Sequence, residues 1–506
     1  MKRTTATLKN SLWSFLQQFI LCILSFASRK AMLWAIGIEG VGLNGLFSNV
    51  LTFLTLAELG MGTAIVYNLF DPLARRAKDE ICELMSFYRK AYHIIALAIA
   101  VFGALLIPLF PFIIKGVSYE WSYIILVYVL FLFQTVSSYF FTYKRSLLAA
   151  DQRQFTVAAV DIVFKILTVL LGIVALVFTR NFVIYLSVLI VMGNANNIYV
   201  ARKVDKAYPY IKDTARRLPE YKRDSIFKNV RDIFLSRVSW TITTSTDMVL
   251  ISSMVGTKDV GLYSNYTIVI NTLTGLVEQL LGAMSGSIGN LLVTEKADYV
   301  EQVLRRLNFL MYFISAFACS SLISLLNPLI ALWLGDFTLP MSIVFMCVFN
   351  FFLWTYRAPL WRMVGFSGLF DDDKNISVFG AVVNIVVSLI LGWKLGMFGI
   401  LIGTAVSLTL QFVLKCDLFY SDFLKIPFSR SMKRFSLYSA LVLLNMSITY
   451  FLCSQVSLSN PYAAFGVMML ICAAVPNAVN CALFWRTDEF SYFKDLLINM
   501  LRKTST

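Results

Sequence analysis

Apolar residues along this chain come in long, nearly unbroken runs. They follow neither the strict alternation of a half-buried strand nor the one-sided stripe of a surface helix. A helix needs about 20 consecutive apolar residues to cross a bilayer. Fourteen runs approach or exceed that length, at 11–36, 41–69, 91–114, 120–143, 155–178, 182–201, 233–255, 260–292, 307–334, 339–361, 376–393, 398–414, 436–455 and 462–485. Backbone polar groups in hydrocarbon have to be satisfied within the segment, so such runs predict helices. The pattern therefore predicts an all-α membrane protein of about 14 transmembrane helices.

The polar breaks between the runs set an orientation. With a cytoplasmic N-terminus, the inside segments are 1–10, 70–90, 144–154, 202–232, 293–306, 362–375, 415–435 and 486–506. They hold 35 of the 44 Lys and Arg residues, the outside loops hold 4 (Lys115, Arg180, Lys258 and Lys394), and the spans hold 5. That asymmetry obeys the positive-inside rule and places both termini in the cytoplasm. It also accounts for the formal net charge of +15 without nucleic acid, since basic residues on that side face anionic lipid headgroups.

Composition agrees with this map. The chain is 58% hydrophobic and 14% charged, with a mean hydropathy of +0.73, which excludes an ordinary soluble enzyme or a disordered chain. A single histidine argues against histidine-metal or histidine-triad chemistry. Of eight cysteines, seven lie in or at the edge of spans and Cys82 is cytoplasmic, with no CxxC, so neither a disulfide nor a zinc site is expected. The N-terminal run carries Gln17 and Gln18 and no small-residue cleavage site, and reads as a retained span. No catalytic residue, cofactor or Walker motif stands out, so an enzyme is not expected.

The chain repeats itself at an offset near 220. Val41-Gly42-Leu43 recurs as Val260-Gly261-Leu262, and Glu58 falls on Glu278. Leu106-Ile107-Pro108-Leu109 falls on Leu326-Asn327-Pro328-Leu329, Asp151 on Asp371, and Leu171-Gly172 on Leu391-Gly392. An offset of six spans preserves orientation, so the halves are parallel repeats. This predicts a six-helix lobe over 1–201, a basic cytoplasmic linker over 202–232 and a second six-helix lobe over 233–434. Helices 13 and 14 with a cytoplasmic tail follow over 435–506. Two parallel lobes around a central cavity are a plan for alternating access. The short outside loops argue against a membrane-embedded glycan polymerase or ligase.

The stretch Glu39-Gly-Val-Gly-Leu-Asn-Gly-Leu-Phe-Ser-Asn49, continuing through Ala57-Glu-Leu-Gly-Met-Gly-Thr-Ala-Ile65 to Asp71-Pro72-Leu73, resembles polysaccharide repeat-unit flippases. These are the Wzx-type O-antigen and capsule exporters of the multidrug/oligosaccharidyl-lipid/polysaccharide superfamily. Tyr88-Arg-Lys-Ala-Tyr92 is similar to that family too. The resemblance implies a flippase in the bacterial cytoplasmic membrane that moves oligosaccharide linked to undecaprenyl pyrophosphate, with polymerase and assembly proteins as partners. Related lipid II flippases place arginines in the first, second and eighth spans. Here the first span has Arg29 and Lys30, whereas the second and eighth carry Glu58 and Glu278, which points away from lipid II. A multidrug antiporter of the same superfamily is the alternative, but it favours an acidic cavity.

Charges inside spans are costly, at least about 2.5–3.5 kcal/mol each at a helix centre, so they are functional or paired. Five are basic: Arg29, Lys30, Lys165, Arg237 and Arg357. They are the candidate ring for a pyrophosphate, which guanidinium groups grip in a bidentate fashion. Arg29 and Lys30 point about 100° apart, so one of the two is expected to face a cavity. Asp161 and Lys165 are spaced for an intrahelical ion pair, with a substrate site, in which Asp161 is a cavity or ion-coupling acid, as the equal alternative. Arg237 and Arg357 sit near span ends; interfacial anchoring is the competing reading for Arg237 and the leading one for Arg357, which has Trp354 and Trp361 beside it. Asp247 lies in a Ser- and Thr-rich stretch expected to line a wet cavity. The repeat-related Glu58 and Glu278 are candidates for H⁺ or Na⁺ coupling, with interhelical hydrogen bonding as the alternative.

Overall fold

The computed structural model describes residues 2–58, 61–151, 154–212, 218–220, 223, 226, 241 and 245–504. Helix α1, Lys2–Leu54, bends at Gly37, whose φ of 67° lies in the left-handed region that side chains avoid. It carries the first predicted span and the start of the second. Next come α2 (Met61–Ala74), α3 (Lys78–Leu106), the short α4 (Phe110–Ile113), α5 (Trp121–Ala150), α6 (Gln154–Thr179) and α7 (Phe182–Ala207). A helical stretch over 245–254 precedes α8 (Thr257–Thr294). The remainder is α9 (Ala297–Leu334), α10 (Met341–Phe366), α11 (Phe370–Leu395), α12 (Met397–Asp417), α13 (Ser429–Ser454), α14 (Pro461–Phe484) and α15 (Asp488–Thr504). No strand occurs among the described residues.

Among the described residues, eleven helices are long and apolar enough to cross a membrane. The pair Thr257–Gly282 and Met284–Thr294, bent by 45°, makes a twelfth. The chain is thus an all-α, multi-pass membrane protein. Two of the fourteen predicted spans account for the difference. The second, 41–69, is not one helix: α1 stops at Leu54, a 3₁₀ turn covers Thr55–Glu58, and α2 begins at Met61. The seventh, 233–255, lies largely outside the described residues, as does most of the 202–232 linker. Large apolar side chains are exposed along many helices, for instance Leu97, Phe133 and Trp393, as expected where lipid is the solvent.

The chain divides into two compact units, Met1–Asn265 and Tyr266–Thr506. In the first, both copies of the repeated Val-Gly-Leu motif meet. A Cβ on Gly42 would lie 2.1 Å from the Thr257 carbonyl oxygen, and one on Gly261 would lie 2.5 Å from that of Ile38. Each glycine stands four residues after the carbonyl that the other approaches, so the contact is reciprocal. Missing side chains let two membrane helices touch backbone to backbone, where Cα–H···O contacts add weak attraction. Below this point Phe47 packs against Phe110, Tyr128 and Phe131 at centroid distances of 5.7, 5.2 and 5.9 Å.

In the second unit, α11 and α12 form a tight hairpin around Gly396, which has a φ of 59°. Gly399 and Gly403 press against the backbone at Leu391 and Ser388. Hydroxyls bond across the same seam: Ser388 Oγ donates to the Ile400 carbonyl at 3.1 Å and Ser407 Oγ to that of Gly380 at 2.6 Å. Helices α13 and α14 are fastened to α9 through Asn480 Oδ1, which accepts from Tyr312 Oη at 2.6 Å and Asn445 Nδ2 at 3.2 Å. The predicted tail is mostly helix: α15 docks on the start of α9 by an Arg305–Glu489 ion pair at 2.9 Å and by Arg306 over the Tyr492 ring at 3.9 Å. It carries no long apolar run, so the span pattern did not reveal it.

Candidate functional site

In the first unit, α1 continues past Arg29 without a break, so this arginine is not at a helix end. It is 9% exposed, and Nη1 donates to Ser264 Oγ at 3.0 Å. Ser264 in turn donates to the Gly261 carbonyl, so the guanidinium is held next to the reciprocal glycine contact. No carboxylate pairs with Arg29 among the described residues. Its neighbour Lys30 points outward and is exposed, as the 100° offset requires.

The expected Asp161–Lys165 ion pair is absent. Asp161 instead takes both Arg145 contacts at 2.9 Å and a hydrogen bond from Asn196 Nδ2 at 2.8 Å, joining α5, α6 and α7. The partner is a guanidinium on a neighbouring helix, whose Nη1 spans both carboxylate oxygens, and not the lysine on the same helix. Lys165 is left exposed on α6, with no ion pair among the described residues.

Glu58 lies in the 3₁₀ turn that interrupts the second span. Its Oε1 accepts from Tyr92 Oη at 3.0 Å, and the Tyr139 ring packs beside Tyr92 at 6.0 Å. Among the described residues it has a tyrosine hydroxyl and no basic partner. Asp247 is 8% exposed in the 245–254 stretch, beside Met248, whose sulfur receives Asn49 Nδ2 at 2.8 Å. Arg237 lies outside the described residues.

In the second unit a charged cluster sits where α8, α10, α11 and α12 meet. Glu278 on α8 pairs with Arg362 on α10. Arg357 does not reach an interface by snorkelling: it is 3% exposed and held between Trp354 and Trp361, with Cζ 4.5 and 4.4 Å from their ring centroids. The i−3 and i+4 spacing puts both indoles on its face of the helix, where cation–π attraction offsets part of the burial cost. Trp361 is shared: Lys415 Nζ lies 4.6 Å from the same ring, bonds Ser377 Oγ at 3.0 Å and pairs with Asp373. The repeat-related glutamates thus have unlike surroundings, tyrosines for Glu58 and an arginine for Glu278.

The sequence reading missed Arg145, Arg362 and Lys415, because it assigned them to inside segments. The longer helices of the structure carry them into the bundle. The motif behind the family resemblance is mainly structural. Glu39 accepts the Ser118 amide at 2.7 Å and pairs with Lys258 at 3.0 Å; Asp71 pairs with Arg75.

The protein's fold is shared with several solved transporters. The inward closed form of the lipid II flippase MurJ superposes with a TM-score of 0.66 at 15% identity, over 94% of this chain and 99% of that one. An inward-facing multidrug resistance MATE transporter of the MOP superfamily gives 0.64 at 15% identity, over 78% of this chain and 93% of that one. A MOP superfamily transporter from Pyrococcus furiosus gives 0.53 at 16% identity, over 81% and 96%. No curated protein sequence matches the chain. The family model described as "Polysaccharide biosynthesis protein" matches residues 7–286, more than half of the chain. With the fold of the MOP-superfamily transporters around these buried charges, the chain belongs to the polysaccharide biosynthesis protein family.

Proposed function

We propose that this protein is a flippase for undecaprenyl-pyrophosphate-linked oligosaccharide repeat units. It moves them from the inner to the outer leaflet of a bacterial cytoplasmic membrane, by alternating access, for export of a capsule or O-antigen polysaccharide. Both termini face the cytoplasm, and a polymerase and its assembly proteins take up the product outside. One observation carries the reading: Arg29 is buried in a membrane helix, bonded to the Ser264 hydroxyl and close to Tyr185, with no carboxylate partner among the described residues. A guanidinium in that position carries a large insertion cost. An anionic group brought to it neutralises the charge and takes up donors that Ser264 leaves open. A pyrophosphate fits this role, whereas a cationic drug would be repelled.

Energy comes from an ion gradient, with Glu58 as the coupling carboxylate. It sits at a helix break, faces a tyrosine hydroxyl, and has no fixed positive partner among the described residues to hold it charged. Glu278 is the weaker candidate because Arg362 already neutralises it.

Gene deletion with leaflet-resolved analysis of lipid-linked intermediates tests the assignment. The flippase reading requires repeat units to accumulate on the cytoplasmic face, and R29Q to reproduce that accumulation while the protein remains in the membrane. Accumulation on the outer face would indicate a polymerase or ligase instead, and no accumulation would favour a drug exporter. Gradient-driven flipping that survives E58Q removes Glu58 from the coupling role.

A further inference from the structure

A second basic site lies in the first unit, away from Arg29. A cavity of about 470 Å³ opens between α3, α5 and the end of α7, lined by Arg89, His93, Phe140, Tyr143, Lys144 and Asp205 among others. Lys144 is oriented by Asp205, with both carboxylate oxygens at 2.7 and 2.8 Å from Nζ. Arg89 has no such partner: it is exposed and makes no ion pair among the described residues. Among the described residues the local charge is therefore one uncompensated guanidinium, beside a lysine whose carboxylate partner satisfies only part of its donor capacity. His93, with its ring tilted against Phe140 at a centroid distance of 5.3 Å, is part of the lining.

The cavity's position along the helices narrows the ligand. Arg89 lies in the first half of α3, Lys144 near the last turns of α5, and Asp205 at the end of α7. These ends coincide with the basic segments 70–90, 144–154 and 202–232, so the cavity sits at headgroup depth on the Lys- and Arg-rich side. From there α3 presents Ile94 (67% exposed), Leu97 (65%) and Val101 at helical spacing toward the membrane interior. The antiparallel α5 presents Phe140, Phe133 and Leu126 in the same direction. A polar cavity thus opens onto two lipid-facing apolar rows. A soluble anion would use the cavity and leave the rows idle; a lipid with an anionic phosphate headgroup uses both.

We propose that this cavity binds the phosphate group of an anionic membrane lipid, with its chains lying along the α3 and α5 rows. The site is independent of the transport reading, since it needs neither Arg29 nor a repeat-unit substrate.

The test uses the full chain in detergent, titrated by native mass spectrometry with phosphatidylglycerol, phosphatidylcholine and inorganic pyrophosphate. Phosphatidylglycerol is expected to bind at least fivefold more tightly than phosphatidylcholine, and R89Q to erase most of that preference. Arg89 is exposed and makes no ion pair among the described residues, so R89Q is expected to melt with the wild type. The double variant K144Q/D205N, which replaces the ion pair by a neutral pair, gives a second measure and is expected to weaken phosphatidylglycerol binding in the same direction. A preference unchanged in both variants overturns the site. Pyrophosphate binding as tightly as phosphatidylglycerol, and displacing it, overturns the lipid assignment in favour of a soluble anion.

Discussion

Gly42 and Gly45 lie three residues apart on one face of α1, yet the same substitution should move stability in opposite directions. An alanine Cβ at position 42 would sit 2.1 Å from the Thr257 carbonyl oxygen, where a carbon normally rests about 3.5 Å from its neighbours. The obstacle is backbone, so α1 and the start of α8 must separate by about 1 Å. Overpacking of this kind costs about 1–3 kcal/mol. Replacing a helical glycine by alanine returns at most about 1 kcal/mol. The net expectation for G42A is a loss of about 1–2 kcal/mol. At position 45 the nearest atom is Val260 Cγ1 at 3.4 Å, an ordinary contact, so G45A should be neutral or slightly stabilising. At about 2–4 °C per kcal/mol for a unit of this size, thermal unfolding in detergent should separate the two by several degrees. G261A should resemble G42A. The double variant should lose less than the sum, because one displacement relieves both clashes. Equal melting temperatures for G42A and G45A, or strictly additive losses in the double variant, would refute the reciprocal contact.

D161N should lower stability by about 1 kcal/mol, since Arg145 loses its carboxylate in a half-exposed setting, whereas K165Q should leave the melting temperature unchanged. Y92F removes a hydrogen bond to Glu58 at 3.0 Å, for an expected loss of about 0.5–1.5 kcal/mol in the same assay. In the second unit E278Q and R362Q should each destabilise, and the double variant should cost less than their sum; additive losses would show that the pair contributes nothing. Truncation before Asp488 should leave membrane insertion intact and lower the melting temperature modestly, through loss of the contacts of α15 with Arg305 and Arg306.

What was legible in the sequence followed the strength of the physical signal. Long apolar runs have no competing soluble explanation, so the helices between Lys78 and Ala207 and between Ala297 and Phe484 appear where they were expected. Orientation of neighbouring side chains was also legible, because 100° per residue separates Arg29 from Lys30 regardless of packing. Partner choice was not. Spacing on one helix proposed Lys165 for Asp161, but Nη1 of Arg145 on the neighbouring helix takes both carboxylate oxygens, and only tertiary structure brings it close. Arg357 near a span end, beside two tryptophans, suggested an interfacial anchor, yet those same tryptophans hold it inside. The repeat was visible as letters, while its use as a backbone-to-backbone contact between Gly42 and Gly261 depends on how the chain folds back.

The interruption at Thr55–Glu58 bears on how the chain enters the membrane during synthesis. Residues 38–54 and Met61–Ala74 supply 17 and 14 helical positions, each short of the roughly 20 that partition into lipid unaided. Neither half is a self-sufficient insertion signal. The second span therefore has to be stabilised in the bilayer by helices made after it, α3 and α5, against which α2 packs. A ribosome-bound chain ending before Trp121 should hold this segment loosely at the insertion machinery, and topology of the N-terminal region should be settled only once α5 has emerged.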